Sequence, residues 1–251
     1  MAYSQSSGNP RESENTARGL SRVMSHDRMA DEFDRVMDKY DLERRLDTLV
    51  NLFLGHLDLS GLKVLDAGCG IGYASRCLND RGGNVVSLDI GHNLVTKTMN
   101  RCQAQGVVGS VLTMPFRDGE FDVVLSTEVI EHTPAPLWAV AELCRILRPG
   151  GHLVLSTPNR AWLWSVALAN RLGIRPYSGL ENFVWPWQLR QALEAQGCLV
   201  VKHVGLHAFP FQVSLFHPVL RFLDHAGSYA LPLMINQCVY ARKPRSQPVA
   251  G

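Results

Sequence analysis

Glu128, Glu131 and His132 form a close cluster of chemically able side chains in this sequence of 251 residues. Residues three apart share a helical face, so two carboxylates and an imidazole can converge on one cation. Mg2+ suits such a three-ligand site because it keeps several waters. Without a metal, His132 is the first choice as general base, since an imidazole takes a proton from a hydroxyl or phenol near neutral pH. Glu131 serves only if its pKa is raised. In the plainer reading Glu128 orients loop backbone or touches a cofactor, Glu131 caps a helix, and His132 is a half-buried structural ring. His207, on a stretch rich in Phe and Pro, is the second candidate base.

Another cluster is the run Ala67-Gly68-Cys69-Gly70-Ile71-Gly72, which follows a short apolar segment ending at Asp66. A glycine turn between a strand and a helix lets a ligand approach the backbone, because a Cβ would collide with it. The spacing is G-x-G-x-G, with Tyr73 where the dinucleotide fingerprint has its last glycine, so the turn need not close over a pyrophosphate. Asp89 ends the next apolar segment, 23 residues after Asp66, where a carboxylate can accept from both hydroxyls of a ribose. An adenosine without phosphates fits both features.

The elements that must position these groups alternate. Strand patterns at Leu62–Asp66, Asn84–Asp89, Val107–Leu112 (weak), Phe121–Ser126 and Gly151–Ser156 are interleaved with helices over Tyr73–Leu78, His92–Ala104 and Pro136–Leu147. Such alternation implies an α/β fold with a doubly wound, mostly parallel sheet and right-handed crossovers. Glu128 to His132 then fall at the carboxyl edge of the fourth strand, where such sheets bind ligands. Ahead of the sheet, apolar residues at helical spacing from Met29 to Leu57 predict two amphipathic helices broken near Asp41. Beyond Pro158, Ala161–Ile174 and Pro186–Gln196 read as helices, and Leu199–Gly205 and Leu233–Ala241 as strands. Leu206–Tyr229 carries no clear pattern.

Lys and Arg number 25 against 23 Asp and Glu, a net charge of +2 that names no nucleic acid or anionic surface as an obligatory partner. With 46% hydrophobic and 19% charged residues the composition is that of an ordinary globular protein, and no apolar run is long enough to span a bilayer. The six cysteines have no paired spacing and read as reduced thiols in the cytoplasm. Residues 1–25 are polar and read as a disordered tail; Glu12 and Glu14 oppose a transit peptide. A single domain over 26–245 accounts for the rest.

Val64-Leu-Asp-Ala-Gly-Cys-Gly-Ile-Gly72, Asp89, Met114-Pro-Phe-Arg-Asp-Gly-Glu-Phe-Asp122 and Leu147-Arg-Pro-Gly-Gly151 resemble the ordered motifs of class I S-adenosylmethionine-dependent methyltransferases. Ser126-Thr-Glu-Val-Ile-Glu-His132, Ser156-Thr-Pro-Asn-Arg160, Phe183-Val-Trp-Pro and Gly205-Leu-His207 are similar to blocks of the ubiquinone-biosynthesis O-methyltransferases, from about residue 30 to 243. The resemblance implies a Rossmann-like fold with N-terminal helices and an elaborated C-terminal half, and S-adenosylmethionine as cofactor. It implies that Arg45 reaches the methionine carboxylate, with Tyr40 and Asp66 near that end. Gly68 and Asp89 would hold the turn and the ribose, joined by Cys69, Gly70, Gly72, Ile90 and Val111, and Thr127 would line the cofactor. Ser110 stands where many members carry an Asp at the adenine, which shifts adenine recognition toward backbone, Met114 or Phe116. Small-RNA 2′-O-methyltransferases resemble the Glu128, Glu131, His132 pattern and add a histidine; its place here falls near Ser178, with Glu181 close by.

Acceptor choice is left to 26–57 and 160–232. Trp162, Trp164, Trp185, Trp187, Phe209, Phe211 and Phe216 supply aromatic surface for a flat or greasy small molecule. The apolar stretch 161–174, flanked by Arg160 and Arg171, reads as a lid over the acceptor or as a helix resting on a membrane. The expected function is methyl transfer to a small aromatic or lipophilic acceptor, at oxygen. An RNA 2′-O-methyltransferase and a non-catalytic cofactor-binding protein are the alternatives.

Overall fold

The computed structural model describes residues 37–171, 173, 180–212 and 214–245. The expected tail, the helical pattern at Met29, Phe33 and Val36, and the positions of Ile174 and Ser178 lie outside them.

Seven strands form one sheet: β1 (Lys63–Ala67), β2 (Asn84–Asp89), β3 (Gln105–Val108), β4 (Phe121–Thr127), β5 (Leu147–Pro158), β6 (Leu199–Leu206) and β7 (Asn236–Arg242). Their spatial order is β3-β2-β1-β4-β5-β7-β6. The first five are parallel, and β7 runs antiparallel to both β5 and β6. Strand order reverses between β1 and β4, which opens a crevice at their carboxyl ends.

The sheet is buried on both faces, so its strands read as apolar runs rather than alternations. Leu65, Val86 and Val124 pack on one side with Val140 and Leu143 of α4 (Pro136–Ile146) and Leu189 and Leu193 of α6 (Pro186–Ala195). Their neighbours Val64, Val85 and Val123 pack on the other side. There they meet Leu78 of α2 (Tyr73–Asp80) and Leu49, Val50 and Phe53 of the π-helical stretch Asp47–Phe53. The remaining helices are α1 (Lys39–Leu46), α3 (His92–Arg101), α5 (Leu163–Arg171) and α7 (His217–Asp224). No described helix is long and apolar enough to cross a membrane.

Several boundaries differ from the sequence reading. Of the two helices expected on either side of a break near Asp41, the second is α1, which starts at Lys39, with the Asp38 side chain accepting from the Asp41 amide, and runs into the π-helical turns. The weak strand expected at Val107–Leu112 is displaced to Gln105–Val108, because Ser110 closes a turn by accepting from the amides of Leu112 and Thr113. The last strand starts at Asn236, after a 3-10 turn over Leu231–Leu233 with Pro232 in its first turn. The stretch around Trp162 is a 3-10 turn, Arg160–Trp162, and only then the helix α5. The unassigned stretch contains α7, with Pro218 in its first turn.

Candidate active site

The turn between β1 and α2 is built on left-handed backbone. Gly68, Gly70 and Gly72 have φ of 84°, 52° and 88°, a region that L side chains rarely adopt. At Gly68 an added Cβ would lie 2.2 Å from Cγ2 of Val129, so that glycine is required by space as well. Asp89, at the end of β2, ties the turn to the next strand: Oδ2 accepts from the Gly70 amide at 2.9 Å and Oδ1 from the Gly91 amide at 3.0 Å. Cys69 is buried beside Thr98, whose hydroxyl donates to the Gly70 carbonyl. Ile90 and Thr127 are half-buried at the ends of β2 and β4, and Ser110 is half-buried in its turn. Val111 and Met114 are buried, and the Met114 amide donates to Glu142.

Asp66 is engaged elsewhere. Its carboxyl accepts from Ser75 of α2 at 2.5 Å, and burial pushes its pKa up to about 7. Tyr40 stacks on His217, 3.6 Å between centroids, and its hydroxyl donates to the His217 carbonyl. Arg45 lies buried against the carboxyl edge of the sheet. Its Nε and one terminal nitrogen reach Asp41 Oδ2 at 2.9 and 2.8 Å, and its other terminal nitrogen lies 3.9 Å from Glu128. Burial alone would raise Asp41, but the Arg45 guanidinium and His207 hold it below the usual carboxylate range.

Glu128 has φ 54°, a left-handed value for a non-glycine residue at the very end of β4. Its amide donates to the Ser156 carbonyl and its carboxyl accepts from the Ser156 hydroxyl at 2.9 Å. Burial raises Glu128, with Arg45 opposing. Glu131 is fully enclosed, accepts from Thr157 at 3.0 Å, and is pushed by burial to about 7. His132 donates Nδ1–H to the Leu180 carbonyl at 2.9 Å, so the acceptor nitrogen of its neutral ring is Nε2, 3.8 Å from Glu131.

The expected convergence on a cation does not occur. Glu128 faces a guanidinium and Ser156, Glu131 turns one oxygen to Thr157, and among the described residues no three His, Cys, Asp or Glu side chains are placed to hold a metal. As placed, these side chains do not fit Mg2+.

His207 follows β6, is fully buried, and has φ 61°. Its Nε2 lies 3.0 Å from Asp41 Oδ1, and its ring packs 4.7 Å from that of Phe211. Asn236 also donates to Asp41 Oδ1, and Arg44 binds Asp224, which accepts from the His207 amide. Sequence reasoning missed Asp41, Asn236 and Asp224. Only the i,i+4 spacing of Asp41 and Arg45 signalled a pair. Trp162 stacks on Trp164 and Trp185 on Trp187, with Trp164 and Trp187 exposed.

A family model described as "Methyltransferase domain" matches residues 65–155. The chain is 32% identical over 160 residues to the ubiquinone biosynthesis O-methyltransferase of Pseudomonas aeruginosa (strain UCBPP-PA14), covering 59% of this chain and 69% of that protein. The protein of the same name from Methylococcus capsulatus (strain Bath) is 32% identical over 112 residues, 42% of this chain, and the match spans only 47% of its length. Among solved structures, magnesium protoporphyrin IX methyltransferase from Synechocystis PCC 6803 with bound SAH superposes with TM-score 0.59 at 19% identity, over 82% of this chain and 83% of that one. That likeness speaks to the fold.

Proposed function

The chain belongs to the class I S-adenosylmethionine-dependent methyltransferases, and from that premise we propose that it methylates an oxygen of a small aromatic or lipophilic acceptor in the cytoplasm. The name shared by the Pseudomonas and Methylococcus relatives supports oxygen as the target, with ubiquinone-type chemistry as its setting. The observation that carries the reading within the molecule is the joining of α1 to the end of β6 beside the sheet edge. There Tyr40, Phe211 and His217 set aromatic surface around an imidazole, His207. Aromatic walls suit a flat acceptor, and a nearby nitrogen base suits a hydroxyl.

When bound, S-adenosylmethionine supplies an activated methyl on a sulfonium. Gly68, Gly70 and Gly72 would admit it to the backbone, Asp89 would take the ribose hydroxyls, and Arg45 would hold its carboxylate. The chain then has to align the acceptor oxygen and exclude water, and alignment alone supplies up to about 7–11 kcal/mol of the barrier. Exposed Trp164 and Leu168 on α5 give the protein apolar surface with which to rest on a membrane and collect a lipophilic acceptor.

The test is transfer of labelled methyl from S-adenosylmethionine to a panel of alkylated phenols, amines and thiols, with products identified by mass spectrometry. A methyl ether is expected. Label only on nitrogen, sulfur or carbon removes the oxygen-directed reading.

A further inference from the structure

Among the described residues four nitrogens surround the Asp41 carboxylate. Nε2 of His207 and Nδ2 of Asn236 lie 3.0 Å from Oδ1, and two nitrogens of Arg45 lie 2.9 and 2.8 Å from Oδ2. A carboxyl met by the amide of Asn236 and two guanidinium nitrogens, three obligate donors, is the ionised form that only accepts. The neutral His207 ring therefore carries its proton on Nε2, and Nδ1 holds a bare lone pair.

That nitrogen is buried and has no hydrogen-bond partner among the described residues. An acceptor left in this state keeps the full cost of its desolvation, so its persistence needs a reason. The backbone at His207 adds a second cost. Its φ of 61° is left-handed, and such strain in non-glycine residues gathers at functional sites. The ring is pinned from two sides, by Asp41 at Nε2 and by Asp224, which accepts from the His207 amide at 2.8 Å and is itself gripped by Arg44 at 3.0 Å.

Resting on the oxygen-directed reading above, we propose that His207 is the general base of the methyl transfer, with Nδ1 taking the hydroxyl proton of the acceptor and Asp41 as its positioning residue. The O–CH3 bond forms as the S–CH3 bond breaks, and the S–C electron pair stays on sulfur, which becomes a neutral thioether. The O–H pair stays on oxygen while the proton passes to Nδ1, and the resulting imidazolium faces the Asp41 anion. His132 lacks this arrangement: its Nδ1–H is held by a neutral carbonyl, and its neighbour Glu131 is a carboxyl that burial holds largely neutral below about pH 7. The titratable and charged groups around the His207 ring are Tyr40 and Asp41 on α1 and His217 and Asp224 on α7, with Arg44 and Arg45 behind them.

The experiment compares wild type, His207→Gln and His132→Ala with labelled S-adenosylmethionine and a 4-alkylcatechol as acceptor. Glutamine places an amide N–H near the position of Nε2–H, so the donor to Asp41 survives while the basic nitrogen is lost. We expect kcat of His207→Gln to fall about 10²–10⁴-fold. Cofactor affinity and thermal midpoint stay near wild type, and the acid limb of the kcat–pH profile disappears; His132→Ala keeps that limb. Nitrogen NMR of the wild type at alkaline pH, which needs no variant, is expected to show the neutral His207 ring protonated on Nε2. A His207→Gln protein with near-wild-type kcat, or a neutral ring protonated on Nδ1, overturns the proposal. Wild type that methylates no hydroxyl overturns the oxygen-directed reading and this base together, whereas normal wild-type turnover with an unaffected Gln variant overturns the base alone.

Discussion

The carboxylate of Asp89 holds the amide of Gly70 at 2.9 Å, so the residue proposed to bind the ribose also fixes the glycine turn proposed to admit the cofactor. One substitution therefore removes two functions. Asp89→Ala is expected to abolish S-adenosylmethionine binding in calorimetry. Gly70→Val should do the same, since a β-branched residue does not tolerate φ 52°. Unchanged affinity in either variant removes the cofactor assignment.

Two glycines with similar backbone separate strain from crowding. Gly61 has φ 75° and nothing within 4 Å of an added Cβ, whereas Gly68 has φ 84° and Val129 in the way. Gly61→Ala should cost about 1–2 kcal/mol, the price of a left-handed L residue. Gly68→Ala should cost a further ~1–3 kcal/mol for overpacking. Urea titrations of the two variants measure the difference, and equal losses would contradict the Val129 contact.

Asp66 gives the fold a pH dependence of known sign. Its pKa rises from the ordinary 3.8 to about 7, so between those values the unfolded chain has released a proton that the folded chain keeps. Its contribution to stability is complete below about pH 4, declines as pH rises, and is gone above about pH 7. Asp66→Asn, neutral at every pH, should be more stable than wild type near pH 8 and lose that advantage toward pH 4. Thermal melts across this range check it; parallel curves for the two proteins would count against the burial of a charged carboxyl.

Arg45 balances Asp41 inside the protein, both being buried. Arg45→Met leaves that anion with neutral donors and His207 only, and should cost about 3–5 kcal/mol in denaturant unfolding. A loss under about 1 kcal/mol would place the pair in water, where such pairs contribute little.

Because the side chains of Glu128, Glu131 and His132 do not form a metal-ligand set, methyl transfer should survive exhaustive dialysis against EDTA. Loss of activity restored by Mg2+ alone would show that these side chains rearrange around a cation.

The sheet was readable because its physics is local. Asn84–Asp89 and Phe121–Thr127 are apolar runs covered on both faces, and each ends in a polar residue at the ligand edge. The glycine turn was readable for the same reason, since a positive φ leaves glycine in the sequence. What escaped was long-range pairing. Asp41 meets His207 across 166 residues and Arg44 meets Asp224 across 180, and no spacing rule reaches that far. The helix start that the pattern puts near Asp41 is capped by Asp38, three residues earlier. His132 ranks first on its neighbours in sequence, and only the folded chain brings the Asp41 carboxylate to the ring of His207.

Asn236, which donates to Asp41 from 195 positions away, opens the last strand to enter the sheet. β7 is hydrogen-bonded between β5 and β6, so the Asp41 cluster joins the first described helix to the last described strand. Loops of this size close slowly. Contacts of α1 with β7 are therefore expected to form after the closer pairing of β1 with β2.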